Sequence, residues 1–369
     1  MFDYIIVGAG YSGSVLAERI ATQLNKKVLV VDRRSHIAGN AYDYYNEHGV
    51  LMHKYGPHWF HTNDKRVFEY LSNFTEWHFH QHRVKTYVDG KLLPFPINLD
   101  TLNELYDFNL SSPEEVQEYY DKVKVVIQNP RNAEEMVISQ VGEDLYNKFF
   151  KGYTLKQWEI DPKDLAASVT ARIPTRTNRD DRYFTDTYQG VPKEGYTKMF
   201  NKMLSHSNIS IMLQADYKDI VDEIKHEYLI YTGPIDSFFN YKFGRLPYRS
   251  LRFEHETLSQ EFYQSNQQIN YPNNHEFTRI VEWKHATGQK SDVTTITREY
   301  SLFAEDGMEK YYPIPKDDNH ALYRKYKAEA DKLKNVFFCG RLADYKYYNM
   351  DQVVARALMI YEQKISNLK

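Results

Sequence analysis

The stretch Gly8-Ala9-Gly10-Tyr11-Ser12-Gly13 decides the fold, because it stands between an apolar run, Asp3 to Val7, and a helical pattern that begins at Ser14. In such an arrangement the first glycine permits a tight turn, the second lets the backbone approach a pyrophosphate, and the third lets the helix pack on the strand. A second apolar run, Val28 to Val31, ends in Asp32, whose carboxylate can accept hydrogen bonds from both hydroxyls of a ribose. The pattern predicts a dinucleotide site, and the acid favours FAD or NAD over NADP.

Two later segments favour FAD over NAD, although these residues alone leave both open. A basic, glycine-containing segment, His36-Ile37-Ala38-Gly39-Asn40, follows the second strand closely, as it does in flavoproteins of the glutathione-reductase type. Near the C-terminus, Phe338-Cys339-Gly340-Arg341 is similar to the strand-and-glycine segment that closes over the flavin in those proteins. Its arginine offers a planar cation that can meet the pyrophosphate.

Composition places the chain among globular proteins. Its 369 residues predict two to three domains, and 42% hydrophobic with 26% charged residues excludes a mostly disordered chain. The single cysteine, Cys339, excludes a disulfide scaffold. The net charge of −3, the lack of a bilayer-length apolar stretch and the lack of a basic signal region give no reason to expect a nucleic acid or a membrane as partner. We therefore expect a cytoplasmic location.

The rest of the chain is predicted to form a helical region followed by strands. Residues 97–158 are predicted to be helical, with capping signals at Ser112 and Asn132 and an apolar face that repeats every four residues from Val137. Strands are predicted at 251–254, 293–297 and 335–339, and a final amphipathic helix at 351–366. This order indicates a nucleotide-binding domain that is interrupted by insertions.

Longer motifs carry a resemblance to a known family. They are His53-Lys54-Tyr55-Gly56-Pro57-His58-Trp59-Phe60-His61-Thr62, Lys151-Gly152-Tyr153-Thr154-Leu155-Lys156-Gln157-Trp158, Arg172-Ile173-Pro174-Thr175-Arg176, Tyr231-Thr232-Gly233-Pro234-Ile235-Asp236, Tyr311-Tyr312-Pro313-Ile314 and Gly340-Arg341-Leu342-Ala343-Asp344-Tyr345-Lys346-Tyr347. On these motifs the chain resembles, along essentially its whole length, the flavin-dependent UDP-galactopyranose mutases of bacteria. That family interconverts UDP-galactopyranose and UDP-galactofuranose with no net redox change.

The resemblance implies covalent catalysis on reduced FAD: the flavin N5 attacks the anomeric carbon, UDP leaves, and the flavin–sugar adduct opens and recloses as the other ring. It also implies an α/β fold with a substrate cleft between its parts. These are a discontinuous Rossmann-like FAD-binding domain of residues 1–76, 190–240 and 316–369, a helical insertion of residues 96–160, and an antiparallel β-sheet domain of residues 77–95, 161–189 and 241–315. The implied partners are a nucleotide-diphosphate sugar as substrate, NAD(P)H or another reductant for the flavin, and a second copy of the chain in a homodimer.

Catalytic and substrate-binding residues follow from the same resemblance. Arg172 and Arg279 match the two arginines that bind the substrate diphosphate in this family. Planar cations there stabilise the negative charge that develops on the leaving group. His61 matches the histidine beside the flavin. Substrate contacts are also expected from His82, Phe149, Phe150, Tyr153, Thr154, Trp158, Tyr183, Asn270, Tyr311, Tyr312 and Tyr347. These tyrosines account for only a few of the 32 in the chain.

Residues from both ends of the chain are implied to bind FAD. The N-terminal ones are Gly8, Gly10, Ser12, Gly13, Asp32, Arg33, Asn40, Tyr55 and His58, and the C-terminal ones are Arg341, Tyr348, Asn349, Met350, Asp351 and Gln352. The histidines at positions 53, 58 and 61 fit no common metal-ligand spacing, so no metal is expected.

Several positions depart from the family's pattern. His82 replaces an asparagine, Trp283 a histidine and Asn349 an aspartate, and we expect all three near the sugar. Ala38 replaces a glycine after the second strand. A mutase of the same mechanism for dTDP-fucopyranose or a modified UDP-sugar is therefore the main alternative. An amine-oxidase-like flavin oxidoreductase and a nucleotide-sugar binder without activity are alternatives of other classes.

A run of alternating histidines lies just before the predicted helical region. His78, His80 and His82 stand at every second position, as they would on a solvated edge strand. The alternation therefore predicts a strand over these residues.

Overall fold

A computed structural model describes residues 1–368. In chain order its strands are β1 (Tyr4–Val7), β2 (Val28–Asp32), β3 (Asp43–Tyr45), β4 (Leu51–His53), β5 (Phe60–Thr62), β6 (Trp77–Phe79), β7 (Val84–Val88), β8 (Lys91–Phe95), β9 (Tyr188–Pro192), β10 (Ile209–Leu213), β11 (Tyr228–Tyr231), β12 (Tyr248–Leu258), β13 (Gln268–Asn270), β14 (Arg279–Glu282), β15 (Thr294–Phe303), β16 (Tyr312–Pro313) and β17 (Val336–Phe338). Its helices are α1 (Tyr11–Gln23), α2 (Lys65–Ser72), α3 (Leu99–Tyr106), α4 (Pro113–Val123), α5 (Ala133–Leu145), α6 (Gly152–Trp158), α7 (Ser168–Ala171), α8 (Tyr196–Met203), α9 (Tyr217–Ile220), α10 (Ile235–Phe238), α11 (Lys284–Thr287), α12 (Asp317–Ala330) and α13 (Met350–Ile360). Within residues 1–368, every helix is too short or too polar to cross a bilayer.

The described chain divides into two compact units. Unit 1 contains Met1–Phe79, Asp186–Pro247 and the residues from Asp317 on, and unit 2 contains His80–Thr185 and Tyr248–Lys316. Unit 1 is therefore discontinuous, and the chain leaves it twice. The helical region and the large sheet both belong to unit 2, and the division into three domains stays a prediction.

Unit 1 is built on a parallel sheet of five strands in the order β10-β2-β1-β11-β17. The register pairs Tyr4 with Val28 on one side and with Tyr228 on the other. The strands are continuous apolar runs because both faces of the sheet are covered, as in doubly wound proteins. One face packs on α1, α8 and α13, and the other carries a smaller cluster that includes Ile5 and Leu29. The predicted Rossmann-like domain is confirmed.

A three-stranded antiparallel sheet, β5-β9-β6, also belongs to unit 1. It carries His61, which pairs with Gln189 of β9. Strand β6 ends at Phe79, so the predicted strand over the alternating histidines is wrong for His80 and His82, which lie outside the strands. The alternation of three residues is too short a pattern to fix where a strand ends.

Unit 2 contains a mixed sheet of seven strands in the order β16-β12-β15-β14-β13-β7-β8. Neighbouring strands are antiparallel except β13 and β7, which are parallel. The strands predicted at 251–254 and 293–297 fall in β12 and β15, which pair with each other from Arg249 to Leu258. The predicted antiparallel sheet is confirmed, with one parallel pair inside it.

Helices α3 to α6 of unit 2 begin largely where the sequence predicts them. Ser112 caps α4 and Asn132 caps α5, each accepting a hydrogen bond from a backbone N–H in the first turn. Helix α5 breaks at Gly142, where φ is +83° and a Cβ would lie 2.4 Å from the carbonyl oxygen of Val123. The chain then continues through a π-helical turn, Tyr146–Lys151, into α6. The helical region is confirmed as several helices joined by short connections.

Candidate functional site

The glycine turn of unit 1 leaves space in front of Gly10. Gly8 has φ +104°, and a Cβ on it would lie 2.0 Å from Thr232 Oγ1. A Cβ on Gly13 would lie 1.9 Å from the carbonyl oxygen of Gly8, because α1 starts so close to the end of β1. A Cβ on Gly10 would have one neighbour within 4 Å among the described residues, the Cα of Gly39 at 3.6 Å. Packing therefore requires glycine at positions 8 and 13, whereas Gly10 keeps a space that a pyrophosphate can fill.

Helix α1 begins at this turn, and its N-cap residue, Gly10, has no side chain to cap the N-terminus. The first N–H groups of this 13-residue helix have no partner within the helix, and such an N-terminus favours a bound anion. Asp32, at the end of β2, accepts hydrogen bonds from the backbone N–H of Ala9 at 2.8 Å and of Arg34 at 2.9 Å. Each carboxylate oxygen keeps a second lone pair for a ribose hydroxyl. The turn, the helix and the acid therefore fit a dinucleotide.

Two residues that the sequence analysis did not assign hold Asn40 and Tyr55 in place. The guanidinium of Arg34 lies 4.2 Å from the centre of the Tyr55 ring and donates to Asn40 Oδ1 at 2.9 Å. His36 Nε2 lies 2.7 Å from the Tyr55 hydroxyl. The neighbouring Arg33 is exposed. The structure thus brings Asn40 and Tyr55 together on the segment that follows β2.

Residues of the C-terminal segment lie against the start of α1. Gly340 has φ +117°, and a Cβ on it would lie 2.6 Å from Ser12 Oγ. Arg341 donates to the carbonyl oxygen of Tyr348 at 2.6 Å, and its guanidinium lies 5.4 Å from the centre of the Tyr347 ring. The close approach of Gly340 to Ser12 places the C-terminal segment beside the dinucleotide turn, as the FAD interpretation predicts.

The first turn of α13 contains the other predicted cofactor residues. Asn349 precedes the helix and donates its backbone N–H to Gln352 Oε1 at 3.0 Å, and Met350 is the first helical residue. Asp351 Oδ2 accepts from Thr62 Oγ1 at 3.0 Å, whereas its buried Oδ1 has no hydrogen-bond partner within residues 1–368. A buried acceptor without a partner, next to a helix N-terminus, fits a ligand that brings a donor.

His61 is paired with a carboxylate that the sequence analysis missed. Its Nδ1 lies 3.0 Å from Asp186 Oδ2, and the two side chains are 13% and 23% exposed. Asp186 stands just before β9, the strand that pairs with the strand of His61. A single aspartate in a polar segment carries no signal of this pairing in the sequence.

His53 and His58 form a hydrogen-bonded pair in unit 1. The backbone N–H of His58 donates to His53 Nδ1 at 3.0 Å, and His58 Nδ1 lies 2.8 Å from the carbonyl oxygen of Gly56. Burial lowers the pKa of His53 to about 3, so the ring is neutral at physiological pH. In the part of the chain that the structure describes, no cluster of three or more His, Cys, Asp or Glu side chains could hold a metal.

The buried His53 should make the protein sensitive to acid. A histidine in the unfolded chain takes up a proton below about pH 6.5, whereas His53 in the fold does so only near pH 3. Its contribution to the free energy of unfolding is therefore complete above pH 6.5 and is lost as the pH falls towards 3, by up to about 1.4 kcal/mol per pH unit. Urea unfolding between pH 7 and pH 4.5 should give a flatter pH dependence for His53→Gln than for the wild type. The matched control is His78→Gln at an exposed position, and superimposable profiles for wild type and His53→Gln would refute the prediction.

In unit 2, three adjacent strands bring a row of polar residues together. The register pairs Asn270 of β13 with Arg279 of β14, and Arg279 with Glu299 of β15. Residues that are directly opposite each other in a sheet project to the same face, so the three side chains lie side by side. Arg279 donates to Glu299 Oε2 at 2.8 Å, and the two side chains are 18% and 1% exposed.

The Arg279–Glu299 pair is charged and incompletely satisfied. Burial disfavours the charge of Arg279, but the carboxylate of Glu299 outweighs that effect and raises the pKa of the guanidinium above its ordinary value. The Nε of Arg279 and the Oε1 of Glu299 are buried without a hydrogen-bond partner in residues 1–368. Buried charged groups rarely stay unsatisfied, so these atoms mark a site that a polar ligand can complete.

Four further predicted residues lie near this pair. Burial raises the pKa of the Tyr153 hydroxyl, which also feels the charges of Arg279, Glu299 and Arg172 and the neighbouring hydroxyl of Tyr183. The hydroxyl of Tyr312 in turn acts on the charge of Arg279. Arg172 is exposed and follows the last residue of α7. The structure thus gathers both predicted arginines and three of the predicted tyrosines in unit 2.

The remaining predicted residues of unit 2 are largely buried. Phe149 and Phe150 pack on Phe95, with ring centres 6.3 and 5.7 Å away. Thr154 on α6 is 6% exposed, and Tyr311, 4% exposed, has its ring centre 6.2 Å from that of Tyr312. Trp158 belongs to a core cluster with Ala133, Leu165, Val169 and Ile314. All of these side chains pack in the core of unit 2, and their contact with a nucleotide stays a prediction.

His82 and Trp283 were both expected near the sugar, and the structure buries both side chains. His82 is 4% exposed, is hydrogen bonded to the side chain of Gln267, and has its ring centre 5.3 Å from that of Tyr183. Trp283 is 0% exposed and donates from Nε1 to Thr297 Oγ1 at 2.9 Å. Trp283 is therefore a core residue with a satisfied indole N–H, and its place near the sugar stays a prediction.

Two further residues of this site, Glu299 and Gln268, were not predicted from the sequence. Gln268 donates to Asn270 Oδ1 at 2.9 Å and so orients a predicted substrate residue. Glu299 is a charged residue inside a strand whose neighbours, Ile296 and Thr297, are buried. An acid at such a position is the signal that could have indicated a buried pair.

Comparisons with known proteins define first a class and then a family. Residues 6–74 match the family described as NAD(P)-binding Rossmann-like domain. A solved structure titled as reduced UDP-galactopyranose mutase has a TM-score of 0.80 at 16% identity and covers 98% of this chain and 94% of its own, which shows a shared fold. The class is therefore an α/β protein with a dinucleotide-binding domain of Rossmann type.

The family follows from sequence. Residues 148–347 match the family model described as UDP-galactopyranose mutase. The chain is 39% identical to a probable UDP-galactopyranose mutase of Klebsiella pneumoniae, over 99% of this chain and 95% of that protein. It is 34% identical to a dTDP-fucopyranose mutase of Escherichia coli, over 100% of both chains. The chain belongs to the UDP-galactopyranose mutase family.

Proposed function

We propose that this protein is a flavin-dependent isomerase that interconverts UDP-galactopyranose and UDP-galactofuranose without net redox change. The observation that carries the proposal is the buried Arg279–Glu299 pair, with unsatisfied polar atoms on the same sheet face as Asn270. A guanidinium held charged in such a row suits a diphosphate, since its planar fork matches two phosphate oxygens. Membership of the family indicates which sugar the diphosphate carries.

In the proposed reaction, unit 2 stabilises the leaving group. Cleavage of the bond between the sugar and the diphosphate places growing negative charge on phosphate oxygens. Arg279, held charged by Glu299, and Arg172 are the cations that meet this charge. Burial raises the pKa of the Tyr153 hydroxyl, so this group stays a protonated donor beside them. Binding that strengthens as the charge grows lowers the barrier and does not merely tighten substrate binding.

We assign FAD to unit 1, on the glycine turn and the start of α13. Reduced FAD, when bound, would supply the nucleophile for the anomeric carbon of the sugar. The chain's own residues would hold the pyrophosphate at the start of α1, beside Gly10, and the ribose at Asp32. His61 would lie beside the flavin ring. We further propose three domains with the bounds given above, a cytoplasmic location, NAD(P)H or another reductant for the flavin, and a homodimer.

A second candidate is a mutase of the same mechanism that acts on dTDP-fucopyranose. The observation that favours it is the 34% identity to a dTDP-fucopyranose mutase over the full length of both chains. His82, which packs beside Tyr183 where an asparagine is usual in the family, is the residue we expect to bear on this choice. A hydrogen-bonding site discriminates strongly between sugars that differ in one hydroxyl.

The test is an assay of the purified protein with FAD. Separate samples, reduced with dithionite or left oxidised, are incubated with UDP-galactofuranose and with dTDP-fucofuranose, and conversion to the pyranose is followed by chromatography. We expect conversion of the UDP-sugar in the reduced sample alone. Conversion of only the dTDP-sugar would keep the mechanism and replace the substrate. Equal turnover without reduction, or no turnover of either sugar, would contradict the proposed function.

A further inference from the structure

A chain of four polar side chains in unit 1 ends on His61. Its Nδ1 lies 3.0 Å from Asp186 Oδ2. Asn63 donates from Nδ2 to Asp186 Oδ1 at 2.8 Å. Asn63 Oδ1 accepts from the backbone N–H of Thr187 at 2.9 Å and from its hydroxyl at 3.1 Å. The carboxylate is therefore bonded on one oxygen to an amide and on the other to the imidazole.

The network fixes which way each group points. The backbone N–H of Thr187 can only donate, so it sets the carbonyl of the Asn63 side chain towards itself and the amide nitrogen towards Asp186. The ionised carboxylate can only accept, so the proton between it and His61 belongs to Nδ1. In the neutral imidazole the lone pair is then on Nε2, which becomes a hydrogen-bond acceptor.

The strand that carries His61 contacts a residue that we assign to the cofactor. The next residue, Thr62, donates from its hydroxyl to Asp351 in the first turn of α13 at 3.0 Å. Helix α13 packs on α1, which begins at the glycine turn. Strand β5 therefore contacts the start of α13 through Thr62, and the imidazole of His61 projects from the opposite face of the same strand.

We propose that Asp186 is a positioning residue that holds His61 as the Nδ1–H tautomer, with Nε2 as an acceptor for the bound flavin. The proposal rests on the proposed function, since it assigns the acceptor to FAD. Two-electron reduction adds N–H donors to a flavin ring, so an acceptor nitrogen beside it favours the reduced state. The same pair would therefore help to keep the cofactor in the form that the mutase reaction requires.

Asp186→Asn is the informative variant because the network decides how the new amide must face. Asn63 still presents its nitrogen, so the oxygen of the new side chain turns towards Asn63 and its NH₂ turns towards His61. Nδ1 must then accept, and the imidazole changes to the Nε2–H tautomer. The variant keeps the size of the side chain and changes the direction of one hydrogen bond. Asn63→Ser removes the amide that donates to Asp186. We expect it to shift the tautomer equilibrium of His61 in the same direction, but by less.

The first measurement is the tautomer itself, from long-range ¹H–¹⁵N correlation spectra of the FAD-loaded protein labelled at histidine. His61→Gln assigns the signal. We expect the Nδ1–H pattern in the wild type and the Nε2–H pattern in Asp186→Asn. The same spectrum of protein from which the flavin has been removed shows which tautomer of His61 the pair with Asp186 favours in the absence of the cofactor. An Nε2–H pattern in the wild type would overturn the proposal.

The second measurement is the flavin reduction potential by equilibration with a redox dye. We expect Asp186→Asn to shift the equilibrium about tenfold against the reduced flavin, which is about 30 mV for two electrons. In a His61→Gln background the same substitution should give no additional shift, because Asp186 acts through the imidazole. The exposed Asp222→Asn is the control for loss of a negative charge.

The outcomes separate this proposal from the proposed function. An unchanged potential in Asp186→Asn, or an equal shift with and without His61, would overturn it even in a protein with full mutase activity. A potential that shifts as expected in a protein that converts neither sugar would support the positioning role and contradict the proposed function. A protein that binds no flavin would overturn both.

Discussion

Arg279→Lys is expected to lower kcat/KM for the UDP-sugar by roughly 10²–10³-fold while the FAD content stays that of the wild type. Lysine keeps the positive charge that Glu299, 1% exposed, needs as a partner. Lysine lacks the planar guanidinium of arginine, so its ammonium group cannot bond both Glu299 and a phosphate oxygen in a fixed geometry. The loss should fall on kcat as well as on kcat/KM, because the charge on the leaving group grows towards the transition state.

Arg279→Ala alone would be a poor test of this role. It would leave the carboxylate of Glu299 buried without its partner, which typically destabilises a protein by about 3–5 kcal/mol. The double variant Arg279→Met/Glu299→Leu removes both charges at similar volume, and we expect it to fold and to be inactive. The matched control is Arg131→Lys, which alters an arginine that is 84% exposed and bonded to Glu135 at 3.0 Å. Wild-type turnover in Arg279→Lys would show that Arg279 does not bind the diphosphate.

The elements that the sequence predicted well are those that local residues determine. In the turn at Gly8 to Gly13, the need for glycine at position 13 comes from a residue close in the chain, since a Cβ there would lie 1.9 Å from the Gly8 carbonyl oxygen. The starts of α4 and α5 follow from the caps Ser112 and Asn132, which act within one helical turn. Such signals need no knowledge of the tertiary structure.

The parts of the site that escaped prediction depend on distant pairing. Glu299 meets Arg279 because β15 pairs with β14 in one register, and a shift by one residue would turn the carboxylate to the other face. Asp186 meets His61 through the pairing of β9 with β5, which are far apart in the chain. No periodicity of a single segment contains that information.

Trp283 shows that exposure is hard to predict from a sequence pattern. A large residue at an unusual position looks like a change in specificity, but burial depends on what packs above the strand, and here the side chain is 0% exposed. Its indole N–H is satisfied by Thr297 inside the sheet of unit 2. His82 looked like a solvated residue and is buried beside Tyr183. Exposure is thus the property that the sequence predicted least well at these positions.

Two glycine substitutions in the dinucleotide turn should have opposite effects on folding and on cofactor binding. Gly13→Ala places a methyl group 1.9 Å from the Gly8 carbonyl oxygen, which is backbone and cannot rotate away. Helix α1 must then shift from β1, and we expect the free energy of unfolding of the apo-protein to fall by about 3 kcal/mol or more. Thermal unfolding after removal of the flavin measures this loss, and a wild-type melting temperature would contradict the packing argument.

Gly10→Ala should fold like the wild type and bind FAD poorly. The backbone of Gly10 has φ −84°, which alanine adopts without strain, and a Cβ would meet only the Gly39 Cα at 3.6 Å among the described residues. The methyl group instead fills the space that we assign to the pyrophosphate, and we expect the Kd for FAD to rise on the order of 10²-fold, about 2.7 kcal/mol. Titration of the apo-protein by flavin fluorescence measures the affinity, and the melting temperature of the same sample is the control. If Gly10→Ala binds FAD as tightly as the wild type, the pyrophosphate does not lie against Gly10, and the cofactor must enter unit 1 elsewhere.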